Sequence, residues 1–144
     1  MDIETAIAEL RKRNEPVPEP LRLPSAAEVE AAEQQIGLAF PPGYRRYLLE
    51  ASDVVFGMFE PAIAIPDAGS LDLATVAREA WEQGVKRDRL AFCEDNGDYY
   101  CLAPDGSVRF WSHNGATNER WPDLGTWIVE VWIGESEASE ADLG

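Results

Sequence analysis

Residues 90–113 read LAFCEDNGDYYCLAPDGSVRFWSH, and this stretch decides the fold because it contains two chain reversals. Asn96 and Gly97 stand between two alternating apolar runs, and both residue types tolerate the positive φ of a type I′ hairpin turn. Pro104-Asp105-Gly106 has the composition of a type I turn closed by a glycine bulge. The two turns predict antiparallel strands at about 90–95, 98–103 and 107–112.

The turn lengths also predict which residues face each other. A two-residue turn pairs Cys93 with Tyr100 and Phe92 with Cys101, and a three-residue loop places Tyr99 opposite Trp111. Because side chains alternate between faces, the more apolar face is predicted to be core: Cys93, Tyr100, Leu102, Val108 and Phe110. The other face combines charged and aromatic side chains, as a half-exposed or partner-facing surface would: Phe92, Glu94, Tyr99, Cys101, Arg109 and Trp111.

Both cysteines of the chain lie in these strands. In this register Cys93 and Cys101 point to opposite faces, so we expect two reduced thiols, as in a cytoplasmic protein. A one-residue slip of the turn would place the two cysteines opposite each other, which leaves a disulfide as the alternative.

Length and composition are those of one globular domain. The chain has 144 residues, of which 45% are hydrophobic and 10% aromatic, enough to bury a core. No run approaches the ~20 apolar residues of a membrane span, and residues 1–4 lack the basic start of a signal peptide. We therefore expect a cytoplasmic protein.

The charge balance is strongly acidic: 12 Lys and Arg stand against 27 Asp and Glu, a net charge of −15. Nucleic acids and anionic membranes are disfavoured as partners because both attract basic surfaces. Two interpretations remain, one being simple solubility. The other is electrostatic steering towards a basic protein partner.

Helical signals flank the hairpins on both sides. Ser25 and Glu28 form a capping box ahead of a helix that Gly37 ends. Pro42 suits the first position of the next helix. The predicted helices span about 2–13, 25–36, 42–51, 71–83 and 124–133.

Two further apolar runs, at 54–59 and 62–65, predict short strands. The segment WIVEVWI at 127–133 fits a strand by its β-branched residues and a helix by its spacing, and we favour the helix. These elements predict a single α+β domain with a mainly antiparallel sheet packed by helices.

The two ends of the chain differ from its middle. Residues 14–24 carry four prolines, which predict an extended connector because proline supplies no backbone donor. Residues 134–144 are small and acidic, and we expect this tail to fray. The predicted organisation is an N-terminal helix and connector at 1–24, the main domain at 25–133 and the acidic tail at 134–144.

The sequence offers little for catalysis. His113 is the only histidine, and its neighbour Ser112 would face the other way in a strand, which argues against a Ser-His-Asp arrangement. No G-x-S-x-G, Walker A or G-x-G-x-x-G motif occurs. We expect His113 to close the end of a strand, and we predict no catalytic residue.

Metal and cofactor sites are not predicted either. Glu94, Asp95, Asn96 and Asp98 resemble a calcium loop, but they lack the alternating ligand spacing and the terminal glutamate. One histidine and two cysteines on opposite faces do not form a zinc site. A pair of carboxylates for glycoside hydrolysis stays open as a remote alternative, because no pair is singled out.

Two motifs in order resemble the SUKH superfamily, the Smi/Knr-like domain. The first is S-x-x-E-V-x-x-x-E-x-x-I-G-x-x-F-P-P-x-Y-R-x-Y-L at 25–48. The second is C-E-D-N-G-D-Y-Y-C-L-x-x-D-G-x-V at 93–108, followed by F-W-S-H at 110–113. Trp127-Ile128 is similar to the family's terminal helix, and Ser52-Asp53-Val54-Val55 departs from its usual Asn-Gly-rich turn.

The resemblance implies helices around a mainly antiparallel sheet. It also implies binding without catalysis, since bacterial members are regarded as immunity proteins that neutralise a toxin, often a nuclease or deaminase. Fungal relatives are regulatory scaffolds in cell-wall signalling.

We therefore expect a non-enzymatic protein-binding module, an immunity protein that occludes a basic, nucleic-acid-acting toxin. The alternatives are a regulatory scaffold of the Smi/Knr type and, more remotely, a carboxylate-dependent hydrolase. No cofactor, nucleic acid or membrane is expected as a partner. The predicted contact surface comprises Glu94, Asp95, Asp98, Tyr99 and Trp111.

Overall fold

The computed structural model describes residues 1–115 and 117–143, with side chains described as far as residue 140 in the last helix. The fold is a single α+β domain, as predicted. Its helices are α1 (Ile3–Arg11), α2 (Ala26–Ile36), α3 (Pro42–Ala51), α4 (Leu73–Gln83), α5 (Leu124–Trp127) and α6 (Gly134–Leu143), with a π-helical segment, Ile128–Ile133, between the last two. Its strands are β1 (Leu90–Asp95), β2 (Asp98–Leu102), β3 (Val108–Trp111) and β4 (Arg120–Trp121).

The four strands form one antiparallel sheet in the order β1-β2-β3-β4. The turn between β1 and β2 has φ values of 52° at Asn96 and 90° at Gly97, which confirms the type I′ prediction. Gly106 at φ 87° closes the second turn, where its N–H bonds to the Ala103 carbonyl oxygen at 2.9 Å. The pairings of Cys93 with Tyr100 and of Tyr99 with Trp111 are also confirmed.

The predicted pairing of Phe92 with Cys101 is wrong, because Ala91 stands opposite Cys101 and β1 carries a bulge between Ala91 and Cys93. A bulge inserts one extra residue and re-aims its side chain. The Phe92 ring therefore joins the apolar core face, where its centroid lies 4.9 Å from that of Trp127. The residue types of the turn at Asn96-Gly97 do not reveal a bulge at Phe92, earlier in the same strand.

The second face of the sheet is more buried than we expected. Helix α4 packs against β1, and on this face Tyr99 is 5% and Cys101 1% exposed. Arg109 and Trp111 are half-buried, and only Glu94 is fully exposed. The predicted half-exposed surface is therefore confined to the rim of this face, beyond the reach of α4.

The helix-end predictions are confirmed at α2 and α3. Ser25 and Glu28 make both hydrogen bonds of the capping box, and Gly37 ends α2 in the left-handed conformation at φ 82°. Pro42 is the first residue of α3. These local contacts determine where α2 begins and ends and where α3 begins.

The predicted strands at 54–59 and 62–65 are wrong. Each contains only an isolated bridge, Phe56 with Phe59 and Ile63 with Asp72. The chain turns at Gly57, whose φ is 63°, and the Ala62 N–H bonds to the carbonyl oxygen of the bulge residue Phe92 at 2.7 Å. Burial accounts for the apolar character of these runs, and a short apolar run does not distinguish a strand from other buried chain. The two-residue strand β4 was missed because it is too short to show a period.

Residues 124–143 are helical throughout, which confirms helix over strand at 127–133. The expected fraying of the tail is wrong, because α6 continues the helix from Gly134 to Leu143. Ser136 is only 2% exposed, and its hydroxyl accepts a hydrogen bond from the Met58 N–H at 3.2 Å. Arg13 also pairs with Glu137 at 3.0 Å. These contacts dock the start of α6 on the body of the domain.

The core centres on Trp127, which is fully buried. Its ring meets those of Phe92 at 4.9 Å and Tyr100 at 5.2 Å between centroids. Helix α1 belongs to the same core through the buried side chains of Ala6 and Leu10. The aromatic cluster thus fixes β1 and β2 against α5. In the described part of the chain, no helix is long and apolar enough to cross a membrane.

Candidate protein-binding surface

The β1–β2 turn presents the predicted acidic residues in different ways. Glu94 is exposed, and its carboxylate accepts a hydrogen bond from the Gly97 N–H at 2.9 Å. Asp95 and Asp98 face each other across the turn and are partly buried. The turn therefore spaces three carboxylates along a short edge of the sheet.

Asp98 is occupied by a contact within the protein. One of its oxygens accepts the backbone N–H of His113 at 3.0 Å and lies 2.6 Å from the His113 Nδ1. These hydrogen bonds, the backbone one first, lower the pKa of the Asp98 carboxyl. His113 thus lies at the end of β3 and is joined to Asp98, in agreement with the closing role expected for it.

The two aromatic members of the predicted surface form a pair beneath its rim. The Tyr99 and Trp111 ring centroids lie 5.8 Å apart. Tyr99 is buried, so it can support a partner-binding surface but offers little area to it. Trp111 is half-buried and offers more.

Two further carboxylates, which the sequence had not indicated, join Asp95. Glu119 precedes β4 and Glu135 lies in the first turn of α6, and both are exposed. Burial and then the charges of Asp95 and Glu119 raise the pKa of Glu135, so Glu135 lies close enough to both carboxylates to be repelled by them. We call these three residues, together with Glu94, whose charge acts on Asp95, the acidic cluster: Glu94, Asp95, Glu119 and Glu135.

The environment disfavours the negative charge of two cluster members, Asp95 and Glu135. Burial, followed by the charges of Asp98 and Glu94, raises the pKa of Asp95. The Tyr100 hydroxyl also has a raised pKa, through burial and the charges of Glu135, Asp95 and Glu119. Among the described residues, no Lys or Arg forms an ion pair with a member of the cluster. The cluster is therefore an uncompensated patch of carboxylates.

The cysteines and the acids do not form a metal centre in the described ranges, 1–115 and 117–143, where no three His, Cys, Asp or Glu side chains are arranged to hold an ion. Cys93 and Cys101 are buried and carry free thiols, as the register predicted. Burial raises the pKa of Cys101 to about 12 and that of Cys93 further. Both are therefore unreactive packing residues.

A family model described as SMI1-KNR4 cell-wall, SUKH_5, matches residues 3–133. The chain belongs to the SUKH_5 family. A solved structure titled "Crystal structure of protein from Pseudomonas syringae pv. tomato" superposes with a TM-score of 0.86 at 37% sequence identity, covering 91% of this chain and 98% of that one. No curated protein matches the sequence.

The SUKH_5 match includes α1, which lies outside the predicted main domain at 25–133. The first motif forms the α2–α3 pair, and its Tyr44, Tyr47 and Leu48 are buried core residues. The departing segment at 52–55 also has structural contacts, since Asp53 pairs with Arg11 at 2.6 Å. The first SUKH_5 motif thus describes the fold, whereas the acidic cluster combines Glu94 and Asp95 of the second motif with Glu119 and Glu135 outside both.

Two single substitutions in this SUKH_5 domain are expected to change stability in opposite directions. Asp95→Asn removes a charge that its neighbours repel, so the free energy of unfolding at pH 7 should rise by about 0.2–1 kcal/mol, the range of an exposed charge pair. Asp98→Asn weakens the contact with His113 and should lower it by about 0.5–1.5 kcal/mol. Urea unfolding at several pH values measures both effects.

The pH dependence separates the two carboxylates. The pKa of Asp95 is raised in the folded state, so its ionisation costs stability as the pH rises through that pKa, and the advantage of Asp95→Asn disappears in acid. The pKa of Asp98 is lowered, so its contribution is present above the ordinary pKa and is lost as the pH falls through the folded value. Effects of the same sign for both variants at pH 7 would contradict this assignment.

Proposed function

We propose that this protein is a non-enzymatic immunity protein that binds a basic, nucleic-acid-acting toxin and occludes its active surface. The observation that carries the proposal is the uncompensated acidic cluster in a member of the SUKH_5 family. Bacterial members of the superfamily are regarded as toxin-neutralising proteins, and a 37% identical structure comes from a bacterium.

A cationic partner is stabilised at this surface in two ways. In the free protein the pKa of Glu135 is raised by burial and by the charge of Asp95, and that of Asp95 by burial and the charges of Asp98 and Glu94. A Lys or Arg of a partner placed between them relieves that repulsion as well as forming new ion pairs. A toxin that grips phosphates carries such residues, and opposite charges also accelerate association at low salt.

The proposed surface keeps the predicted residues in revised roles. Glu94 and Asp95 contact the partner, Asp98 holds the turn through His113, and the Tyr99–Trp111 pair supports the rim. Glu119 and Glu135 extend the contact area. A specific interface needs about 800 Å² on each partner, about a tenth of the 7680 Å² accessible surface of this chain.

A hydrolytic role for these carboxylates is less well supported. Raised pKa values in neighbouring carboxyl groups occur at acid–base centres, but such centres lie in clefts that hold a substrate. The charges of Asp95 and Glu135 act on the Tyr100 hydroxyl, and of the four clustered acids only Glu119 lines the large groove. Repulsion relieved by a cationic partner accounts for the cluster without catalysis.

The test is direct neutralisation of the product of the neighbouring reading frame. Cells that express this toxin should stop growing, and co-expression of the 144-residue chain should restore growth. The purified pair should bind with an association rate that falls steeply between low and physiological salt. Growth arrest that persists, with no complex formed by the purified proteins, would overturn the proposal. We also propose a cytoplasmic location, which fractionation of cells that express the chain from its own gene would test.

A further inference from the structure

A groove of about 740 Å³ lies between the end of α4 and the β3–β4 edge of the sheet. Four of the 12 Lys and Arg residues of this acidic chain line it: Lys86, Arg89, Arg109 and Arg120. Glu119 is the only acid among the lining residues. The groove is therefore locally basic on a protein whose net charge is −15, and simple solubility does not explain that segregation.

The groove cations are largely unpaired. Six of the other Lys and Arg residues form ion pairs, such as Arg11 with Asp53 at 2.6 Å. Within the described residues Lys86, Arg89 and Arg120 form none, and Arg109 reaches Asp105 only at 3.9 Å. The Asp105 carboxylate is already held by the Ser107 hydroxyl at 2.6 Å. The chain has many acidic residues, yet these cations remain largely unpaired and are available to a ligand.

The sheet itself holds two of these cations together. Arg109 and Arg120 are direct partners across the β3–β4 ladder, where side chains of opposed residues lie about 4.5–5.5 Å apart at Cβ. Like charges in this position are destabilising. An anion between the two guanidinium groups converts that repulsion into charge-assisted hydrogen bonds, which Arg forms with phosphate in a bidentate geometry.

The other lining residues suit an aromatic ligand. Phe110 and Trp111 line the groove with His113, and Trp111 is half-buried. Arg and aromatic side chains together bind phosphates and stack planar rings. The volume also falls within the 300–1,000 Å³ range of small-molecule sites.

We propose that this groove binds a small phosphorylated ligand with a planar ring, that is, a nucleoside phosphate. The phosphates bind Arg109 and Arg120 with Lys86 and Arg89 beside them, and the ring packs on Trp111. The site uses cations where the toxin-binding surface uses carboxylates, and the two share Glu119 and Trp111. Titration of the free chain needs no toxin, so its outcome does not depend on the toxin-binding proposal.

The net charge selects a small ligand over a long polyanion. Exposed charges beyond about 8 Å are screened at physiological salt, so an anion inside the groove interacts mainly with its four cations. A nucleic acid strand or an extended acidic peptide would continue past the groove onto the rest of a chain whose net charge is −15. Its added length would therefore weaken binding.

The test is calorimetric titration of the full chain with ATP, tripolyphosphate, adenosine and a deca-glutamate peptide. ATP should bind at least tenfold more tightly than tripolyphosphate, and adenosine should bind weakly. Arg120→Ala and Arg109→Ala should each weaken ATP binding at least tenfold. Arg120→Lys should recover only part of it, because lysine keeps the charge but loses the bidentate fork. Trp111→Leu should reduce ATP binding to that of tripolyphosphate.

The matched control is Arg78→Ala, because Arg78 is an exposed arginine of α4 that makes no ion pair among the described residues and does not line the groove. It should leave ATP binding unchanged, and circular dichroism should confirm that every variant is folded. The proposal is overturned by no ATP binding at millimolar concentration, by an equal loss in Arg78→Ala, or by tighter binding of the peptide than of ATP.

Discussion

Replacing Trp127 with alanine is expected to lower the free energy of unfolding by about 3–5 kcal/mol, the cost of deleting a fully buried large aromatic side chain. Trp127 is 0% exposed and joins both halves of the core, since its ring contacts Phe92 of β1 and Tyr100 of β2. The alanine substitution would leave a cavity and remove the ring contacts that hold β1 and β2 against α5. A loss of this size is a large part of the 5–15 kcal/mol typical of a whole domain.

Urea unfolding followed by circular dichroism measures this effect. Met58→Ala is the control, because Met58 is 56% exposed and its truncation should change stability by no more than about 0.5 kcal/mol. Trp127→Phe should cost less than the alanine variant, because it keeps an aromatic ring and removes a buried indole N–H that has no partner among the described residues. Equal losses for Met58→Ala and Trp127→Ala would show that the aromatic cluster is not the centre of the core.

Charge reversal in the acidic cluster is expected to weaken toxin binding strongly. Asp95→Lys and Glu135→Lys should each reduce the affinity about 10–100-fold, which corresponds to about 1.4–2.8 kcal/mol. Each change replaces an attraction to a basic partner with a repulsion. Surface plasmon resonance with the product of the neighbouring reading frame measures the affinity and both rate constants.

The matched control is Glu30→Lys, which makes the same charge change at an exposed position of α2. If the cluster is the contact surface, Glu30→Lys should reduce only the association rate, and only modestly, through the net charge. The difference between it and the cluster variants should persist at moderate salt, because contact pairs are screened less than distant ones. Equal losses for all three variants would mean that the toxin binds elsewhere.

These reversals are suited to a binding test because they should leave the domain folded. Asp95 already faces Asp98 across the strand pair, so a lysine at position 95 gains an opposite charge there. Asp98 is a poor choice for the same purpose, because its substitution breaks the contact with His113 and confounds binding with turn stability.

Much of the fold follows from local chemistry. Asn96 and Gly97 adopt positive φ as their residue types allow, and the Ser25–Glu28 capping box forms both of its hydrogen bonds. Such features depend on the dihedral preferences and hydrogen bonds of a few adjacent residues. The errors lie where a short apolar segment had no such signal, as at 54–59, or where a bulge interrupted a regular strand, as at Phe92.

The candidate site was predictable only in part. Glu94 and Asp95 stood out because a strong turn signal placed them at a hairpin end, but the burial of Tyr99 depends on α4, which lies far away in the sequence. The sequence placed Glu135 in a tail that was expected to fray. In the structure, the neighbouring Ser136 is docked against the chain at Met58. The alternating pattern of charged and apolar residues along a strand shows how its two faces differ. It does not show which helix covers either face.

The two turns of the 90–113 stretch and the pairing beside them were determined by the sequence alone, because the turns act through the φ of single residues and the pairing follows from turn length as far as the bulge at Phe92. Tertiary structure alone decided two other features. It brought Asp95, Glu119 and Glu135 into one repelling cluster, and it gathered Lys86, Arg89, Arg109 and Arg120 around one groove. The cluster joins the β1–β2 turn, the segment before β4 and α6, and the groove joins the segment after α4 to the β3–β4 ladder. Both groups therefore exist only once the packing around Trp127 has placed the sheet, α4 and α6 together.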